Sequence, residues 1–162
     1  MVQVVLNQAE IMRVLKVEFS RARRYNCSLT CLLIQVDRFQ YLRDLYGMDI
    51  TNSISESIVE IIHANTRLSD FVGKVGERFL LIMPHTDSKG AVITADRIRE
   101  KLGSLDFDVS GKVIRVSLSI GLADNTGEES IFYDSILKRA ETAVQKVISS
   151  GGDGTEILEV QE

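Results

Sequence analysis

The stretch RLSDFVGKVGERFLLIMP, residues Arg67–Pro84, decides how the chain folds. Two apolar runs, Phe71 to Val75 and Phe79 to Met83, flank Gly76, and this pattern predicts a β-hairpin closed by a tight glycine turn. Pro84, the only proline, stops the second strand because it lacks a ladder donor. Ahead of the hairpin stands an Arg-x-x-Asp pair, Arg67 and Asp70. At its tip sit two charges, Glu77 and Arg78.

Outward from the hairpin, SLTCLLIQV (28–36) is a nearly continuous apolar run of strand length, which predicts a strand buried on both faces. Before it, residues 9 to 24 place Ile11, Val14, Leu15, Phe19 and Ala22 on one helical face. After it come a helical turn from Phe39 to Tyr46, stopped by Gly47, and a helix from about Asp49 to Asn65. That helix carries Ile54, Ile58, Ile61 and Ile62 inward. Beyond the hairpin, Asp87 is placed to cap a helix with Ala91, Ala95, Ile98 and Leu102 on its apolar face. KVIRVSLSIGLA (112–123) alternates as a half-buried strand. Residues 130 to 148 align Ile136, Leu137, Ala140, Val144 and Val147, and TEILEV (155–160) makes a last strand. The SGGDG stretch (150–154) between these two reads as a glycine helix stop and a turn. The order predicts one α+β domain over residues 1–162, a mostly antiparallel central sheet flanked by helices.

Composition narrows the function classes. A chain of 162 residues with 44% hydrophobic and 26% charged residues buries a real core and needs no staples. A net charge of −4 argues against broad nucleic-acid binding, and Arg21, Arg23 and Arg24 read as a solvated helix end. The only cysteines, Cys27 and Cys31, have no second pair to complete a zinc site and fit a reduced cytoplasmic protein. No apolar run approaches membrane-spanning length, so no membrane contact is expected of this domain.

Four segments, LLIQVDRFQYLRDLYGMDITN (32–52), DFVGKVGERFLLIMP (70–84), ADRIREKL (95–102) and VSLSIGLA (116–123), resemble GGDEF domains in order and spacing. The likeness runs from about Asn7 to Val160. It implies a nucleotidyl-cyclase-like, palm-like fold. It also implies a relation to diguanylate cyclases, which condense two GTP molecules into cyclic di-GMP with carboxylate-bound divalent metal ions.

At the positions this resemblance assigns to catalysis, the chain departs from the pattern. Gln35 stands where the first metal aspartate of a D-x-D-x-F run is expected, and Asp37 keeps the second acid. An amide oxygen brings no negative charge to a metal site. Arg43 and Asn52 fall on the guanine-reading positions, Gln40 on a phosphate-binding lysine, and Ile148 and Gly152 on the triphosphate-binding lysine and arginine. The signature reads Val75-Gly76-Glu77-Arg78-Phe79 if aligned without a gap. Alternatively the hairpin is one residue short and Gly76 stands for one of two glycines. With either alignment the resemblance implies no stable Mg²⁺, no cofactor and no catalytic residues. Asp37 is then expected in a turn or capping role, His63 in a structural position and His85 in the turn after Pro84; Glu77 alone of the signature could still ligate a metal, and otherwise Glu77 and Arg78 read as solvated charges.

Arg67 and Asp70 match the family's R-x-x-D site, where cyclic di-GMP binds in active members. That site lies five residues ahead of the signature. Here five residues separate Asp70 from Gly76, or four if the signature starts at Val75. A guanidinium fork donates to guanine O6 and N7, and a carboxylate accepts from N1–H and N2–H₂. Arg97 falls on the family's second arginine, with Arg99 beside it. The expectation is a catalytically inactive domain that binds cyclic di-GMP and pairs with another copy or a partner domain. The competing reading is a structural or dimerising module without a ligand. Residual cyclase activity, or GTP binding without turnover, comes last.

Overall fold

The computed structural model describes residues 4–126 and 132–158. In chain order its elements are α1 (Gln8–Tyr25), β1 (Leu29–Val36), α2 (Phe39–Tyr46), α3 (Met48–Ala64), β2 (Phe71–Val75) and β3 (Arg78–Pro84). They continue with α4 (Ser88–Gly103), β4 (Phe107–Val109), β5 (Lys112–Ile114), β6 (Leu118–Asp124), α5 (Asp134–Ser149) and β7 (Gly154–Ile157). Among the described residues no helix is long and apolar enough to cross a membrane.

β1 is apolar at almost every position and has two faces to bury, so it takes the middle of the sheet. It pairs antiparallel with β3 from Leu29↔Pro84 to Ile34↔Phe79, and with β6 from Thr30↔Asp124 to Val36↔Leu118. The full order is β2-β3-β1-β6-β7, with β2–β3 the expected hairpin and β6–β7 the one parallel pair among the described strands, joined through α5. Two cores follow from the two faces. Leu32, Ile34 and Val36 pack with Phe79, Leu81 and Met83 against Ile54, Ile58 and Ile62 of α3 and Ala95 and Ile98 of α4. Cys31 and Leu33 pack with Leu80 and Ile82 against Ile11, Leu15 and Phe19 of α1 and Leu137, Ala140 and Val144 of α5. Burial pushes the Cys31 thiol up to about 12, which suits a packing role.

Local chemistry sets the helix ends. The Asn7 side chain accepts from Glu10 N at 2.9 Å and Glu10 Oε1 accepts from Asn7 N at 3.0 Å, a reciprocal capping box. Asp87 Oδ1 accepts from Gly90 N at 2.9 Å and opens α4 as expected. Residues 130 and 131 of the expected last helix, and 159 and 160 of the expected last strand, lie outside the described residues.

The stretch 112–123 departs from the single strand predicted for it. Lys112–Ile114 folds back on Phe107–Val109 as a separate hairpin, which the sequence pattern did not predict. Its turn holds Ser110 and Gly111 at positive φ, with Asp108 Oδ1 accepting from Gly111 N at 2.9 Å. β6 begins only at Leu118 and is buried on both faces. Its alternation separates large from small residues rather than buried from exposed. Leu118, Ile120 and Leu122 fill the α3–α4 core, while Ser119, Gly121 and Ala123 alternate with them and are small enough to let α5 close on the strand.

A carboxylate ties the C-terminal end of β1 to its neighbours. Asp37, just past β1, accepts from Ser117 Oγ and Ser119 Oγ at 2.5 Å each and from Asp153 N at 2.8 Å. Gly152, at φ +80°, lies against it, and a Cβ there would stand 2.8 Å from the carboxylate carbon and both its oxygens. Asp153 in turn accepts from Arg99 Nη1 at 3.0 Å, and Asp96, beside Arg99, accepts from Thr155 Oγ1 at 2.9 Å. The SGGDG loop is thus clamped to β1, β6 and α4 while it ends α5, with Gly152 N donating to Val147 O at 2.9 Å.

The clamp predicts a specific coupling. Gly152→Ala should destabilise by about 1–3 kcal/mol through strain and overlap. Asp37→Ala should also destabilise, by leaving two hydroxyls and an N–H without their acceptor. The double variant should lose less than the sum, by about 0.5 kcal/mol or more, because removing the carboxylate removes the overlap. Urea midpoints of the four proteins measure this.

Candidate functional site

The β2–β3 ladder keeps a regular register to Val75↔Arg78, leaving Gly76 and Glu77 as a two-residue turn. Gly76 has φ +63° and Glu77 does not share it, the pattern of a type II′ turn with glycine in first place. The β1–β3 register, which ends on Ile34↔Phe79, brings Gln35 level with Arg78. Arg78 Nε donates to Gln35 Oε1 at 2.6 Å. On the other side of the tip, Arg43 of α2 donates to Glu77 Oε1 at 2.7 Å and lies over the Phe39 ring at 4.7 Å. Lys74 Nζ stands 4.3 Å from the Phe79 ring centroid. Burial lowers its pKa, Glu77 opposes that shift and the like charge of Arg43 adds to it.

These contacts correct one expectation. Glu77 and Arg78 are engaged across elements, not merely solvated, because the register sets one beside β1 and the turn sets the other beside α2. Gln35, Phe39, Glu77 and Arg78, with Gln8 of α1 and Glu141 of α5, line a cavity of about 500 Å³. Arg78 and Glu141 also line a larger hollow of about 850 Å³ along α5 and β7, with Lys146, Gly152 and Thr155.

The other positions scatter. Gln40 donates to Asp44 at 2.9 Å along α2, and Asn52 is exposed on α3. Ile148 packs at the margin of the α1–α5 core, and Gly152 serves the Asp37 clamp. Asp37 does hold a turn, as expected, and also binds two hydroxyls that the sequence did not single out. Ser117 and Ser119 are two residues apart, a spacing that puts both hydroxyls on one side of an extended chain. His63 is half-buried on α3, and His85 is exposed at φ +58°.

The R-x-x-D loop lies between α3 and β2. Asp70 Oδ2 accepts from Arg67 N at 2.8 Å, and Arg67 O accepts from Asp70 N at 3.0 Å, so the two residues close a short turn. The Arg67 guanidinium donates to Thr86 Oγ1 at 3.0 Å; Thr86, a buried residue past β3, was not anticipated. Asp70 Oδ1 is buried and has no hydrogen-bond partner among the described residues. Burial raises the Asp70 pKa, while the Arg67 N–H and the Arg67 charge pull it the other way. Arg97 is exposed on α4 and has no hydrogen bond or ion pair among the described residues. Arg99, its expected alternate, is held instead by Asp153 and Asp96, since its face of α4 packs toward β7.

This fold matches known proteins. The family model "Diguanylate cyclase, GGDEF domain" matches residues 4–153. The probable diguanylate cyclase DgcC of Escherichia coli is 29% identical over 154 residues, which cover 94% of this chain and 41% of that protein. The chain therefore spans about two fifths of that relative's length. The GGDEF domain of DgcB from Caulobacter crescentus, solved in complex with c-di-GMP, superposes with a TM-score of 0.89 at 18% identity, covering 96% of this chain and 92% of that one. Diguanylate cyclase SiaD of Pseudomonas aeruginosa, solved with its activator SiaC, gives 0.85 at 26% identity, covering 93% and 58%. With a family match across nearly all of its length and the β1–hairpin geometry of its sheet, the chain belongs to the GGDEF domain family of diguanylate cyclases.

Proposed function

We propose that this GGDEF domain is catalytically inactive and acts as a cyclic di-GMP receptor through Arg67, Asp70 and Arg97. Cyclase chemistry in the family needs a divalent ion, and the residues at the corresponding position do not suit one. Gln35 offers a neutral oxygen already bonded to Arg78, whose fixed positive charge repels a cation. Glu77 is paired with Arg43, and both oxygens of Asp37 are taken by the clamp. The donor set is thus wrong for a divalent ion both in charge and in free oxygens.

One observation carries the receptor half: the buried, unpartnered Oδ1 of Asp70, in a loop whose arginine donates only to an uncharged hydroxyl. A buried acceptor without a donor is costly, and guanine N1–H and N2–H₂ are donors of the matching kind. Arg97 supplies an unpaired cation for a phosphate or a second guanine. The c-di-GMP complex of the DgcB domain is consistent with this ligand class. The ligand then favours one pairing of domains, either two copies or a copy and a partner, and that pairing carries the signal. As a signalling module of this kind the domain would work in the cytoplasm.

Calorimetric titration with cyclic di-GMP should give micromolar or tighter binding, weakened at least tenfold by Arg67→Ala and by Asp70→Ala. No heat at high ligand concentration would leave a structural module as the function. Incubation with GTP and Mg²⁺ followed by chromatography should yield no cyclic di-GMP; appreciable product would refute the inactive reading.

The pH dependence has a definite sign. The ligand's donors need the ionised carboxylate, and the folded pKa of Asp70 lies above its ordinary value of 3.8. Affinity should therefore rise as pH climbs through that raised pKa toward neutrality. Stability should move the other way. The folded state holds the proton more tightly than the unfolded chain, so the Asp70 contribution falls as pH rises from 3.8 through the folded pKa. Titrations and urea midpoints at several pH values check both directions, and Asp70→Asn should flatten them.

A further inference from the structure

We infer that the outward face of α1 docks on the outward face of α3 in a second copy of the chain, a head-to-tail contact held by opposite charges. It uses no residue of the Arg67–Asp70 loop and needs no nucleotide, so it stands or falls apart from the receptor reading.

Charge separation is the first argument. The chain carries a net charge of −4, yet α1 holds Arg13, Lys16, Arg21, Arg23 and Arg24. Of its acids, Glu10 is spent in the capping box and Glu18 is buried beside Arg21. α3 is the reverse, with Asp49, Glu56 and Glu60 and neither lysine nor arginine. Apart from Arg21, the cations of α1 make no ion pair among the described residues, and neither do the acids of α3. The two helices cover opposite faces of the sheet, α1 in the core with α5 and α3 in the core with α4. Their charges therefore cannot meet within one molecule, whereas between two copies they attract.

Register is the second. Ile11, Leu15 and Phe19 of α1 are buried, which turns Arg13 and Arg24 outward. Ile54, Ile58 and Ile62 of α3 are buried, and Asp49, Glu56 and Glu60 lie on the opposite side of that helix. Arg13 and Arg24 are eleven residues apart, as are Asp49 and Glu60, a span of about 16 Å on each helix. With the helices antiparallel, Arg24 faces Asp49, Arg13 faces Glu60, and Lys16 reaches Glu56 between them. The same alignment sets Tyr25 against Met48, large side chains left 66% and 62% exposed. A parallel alignment keeps the end pairs but loses both Lys16–Glu56 and Tyr25–Met48.

Because the two faces differ, a joined pair keeps one free α1 face and one free α3 face, and association continues past the dimer. Exposed ion pairs are individually weak, so the contact is of low affinity and yields to salt.

Sedimentation velocity of the chain in low salt without nucleotide should show a mass that rises with concentration past the dimer. Raising NaCl to about 0.5 M should return it to monomer. Arg13→Gln with Arg24→Gln, and separately Asp49→Asn with Glu60→Gln, should each weaken association at least tenfold. An equimolar mixture of these two variants should form a heterodimer that grows no further, since one intact face of each kind remains. Lys89→Gln, which removes a charge from α4, should leave association unchanged. Glu56→Gln with Glu60→Gln replaces the α3 variant if circular dichroism shows that it does not fold. A monomer at every concentration in low salt, an unaltered chain that stops at the dimer, or association that neither variant weakens would overturn the inference. Cosedimentation with phosphatidylserine vesicles in the absence of self-association would overturn it too, and would assign the α1 face to a lipid surface.

Discussion

Burial of β1 on both faces is the constraint on which everything else rests. A strand with Leu32, Ile34 and Val36 on one side and Cys31 and Leu33 on the other cannot sit at a sheet edge. It must have a strand on each side and a helical layer on each face. Once it does, its C-terminal end becomes the place where several elements converge. The hairpin tip arrives through β3, the start of β6 through the other ladder, α2 by direct continuation and the SGGDG loop from α5. The polar residues that close β1, Gln35 and Asp37, therefore govern what that convergence can do.

In this chain those two residues are already engaged within the fold, in different ways. Gln35 and Arg78 form a neutral-to-cation pair across adjacent strands. Asp37 keeps its charge but spends it on two hydroxyls and a peptide N–H. The glycine at 152 belongs to the same arrangement, because a side chain at that point would overlap the carboxylate it serves. These contacts are mutually fitted. Arg78 has its acceptor, Glu77 has Arg43, and the α5–β7 loop has Asp37 and Arg99.

The Arg67–Asp70 loop belongs to another part of the sheet, between α3 and β2 at the far end of the hairpin. Its anchors are backbone bonds inside the loop and a buried threonine. It leaves one carboxylate oxygen without a donor in a setting that already disfavours the charge. A structural turn needs only the first of these features. The second leaves an acceptor that an N–H donor would satisfy.

The sequence alone determined most of the fold. The apolar periods of α1, α3, α4 and α5 identified their buried faces, because an amphipathic helix has one way to hide such a stripe. Gly76 between two apolar runs fixed the hairpin, and Asp87 fixed the start of α4. The alternation of 112–123 misled because a period of two does not tell a polar residue from a small one that a helix covers. The resemblance to GGDEF domains drew attention to the Arg-x-x-Asp pair and to Gln35, Arg43, Glu77 and Arg78. Only the tertiary structure decided their partners. Gln35 and Arg78 are 43 residues apart, and Asp37 and Asp153 are 116 apart. Contacts over such separations depend on strand order and register, which long-range packing sets and no local spacing encodes.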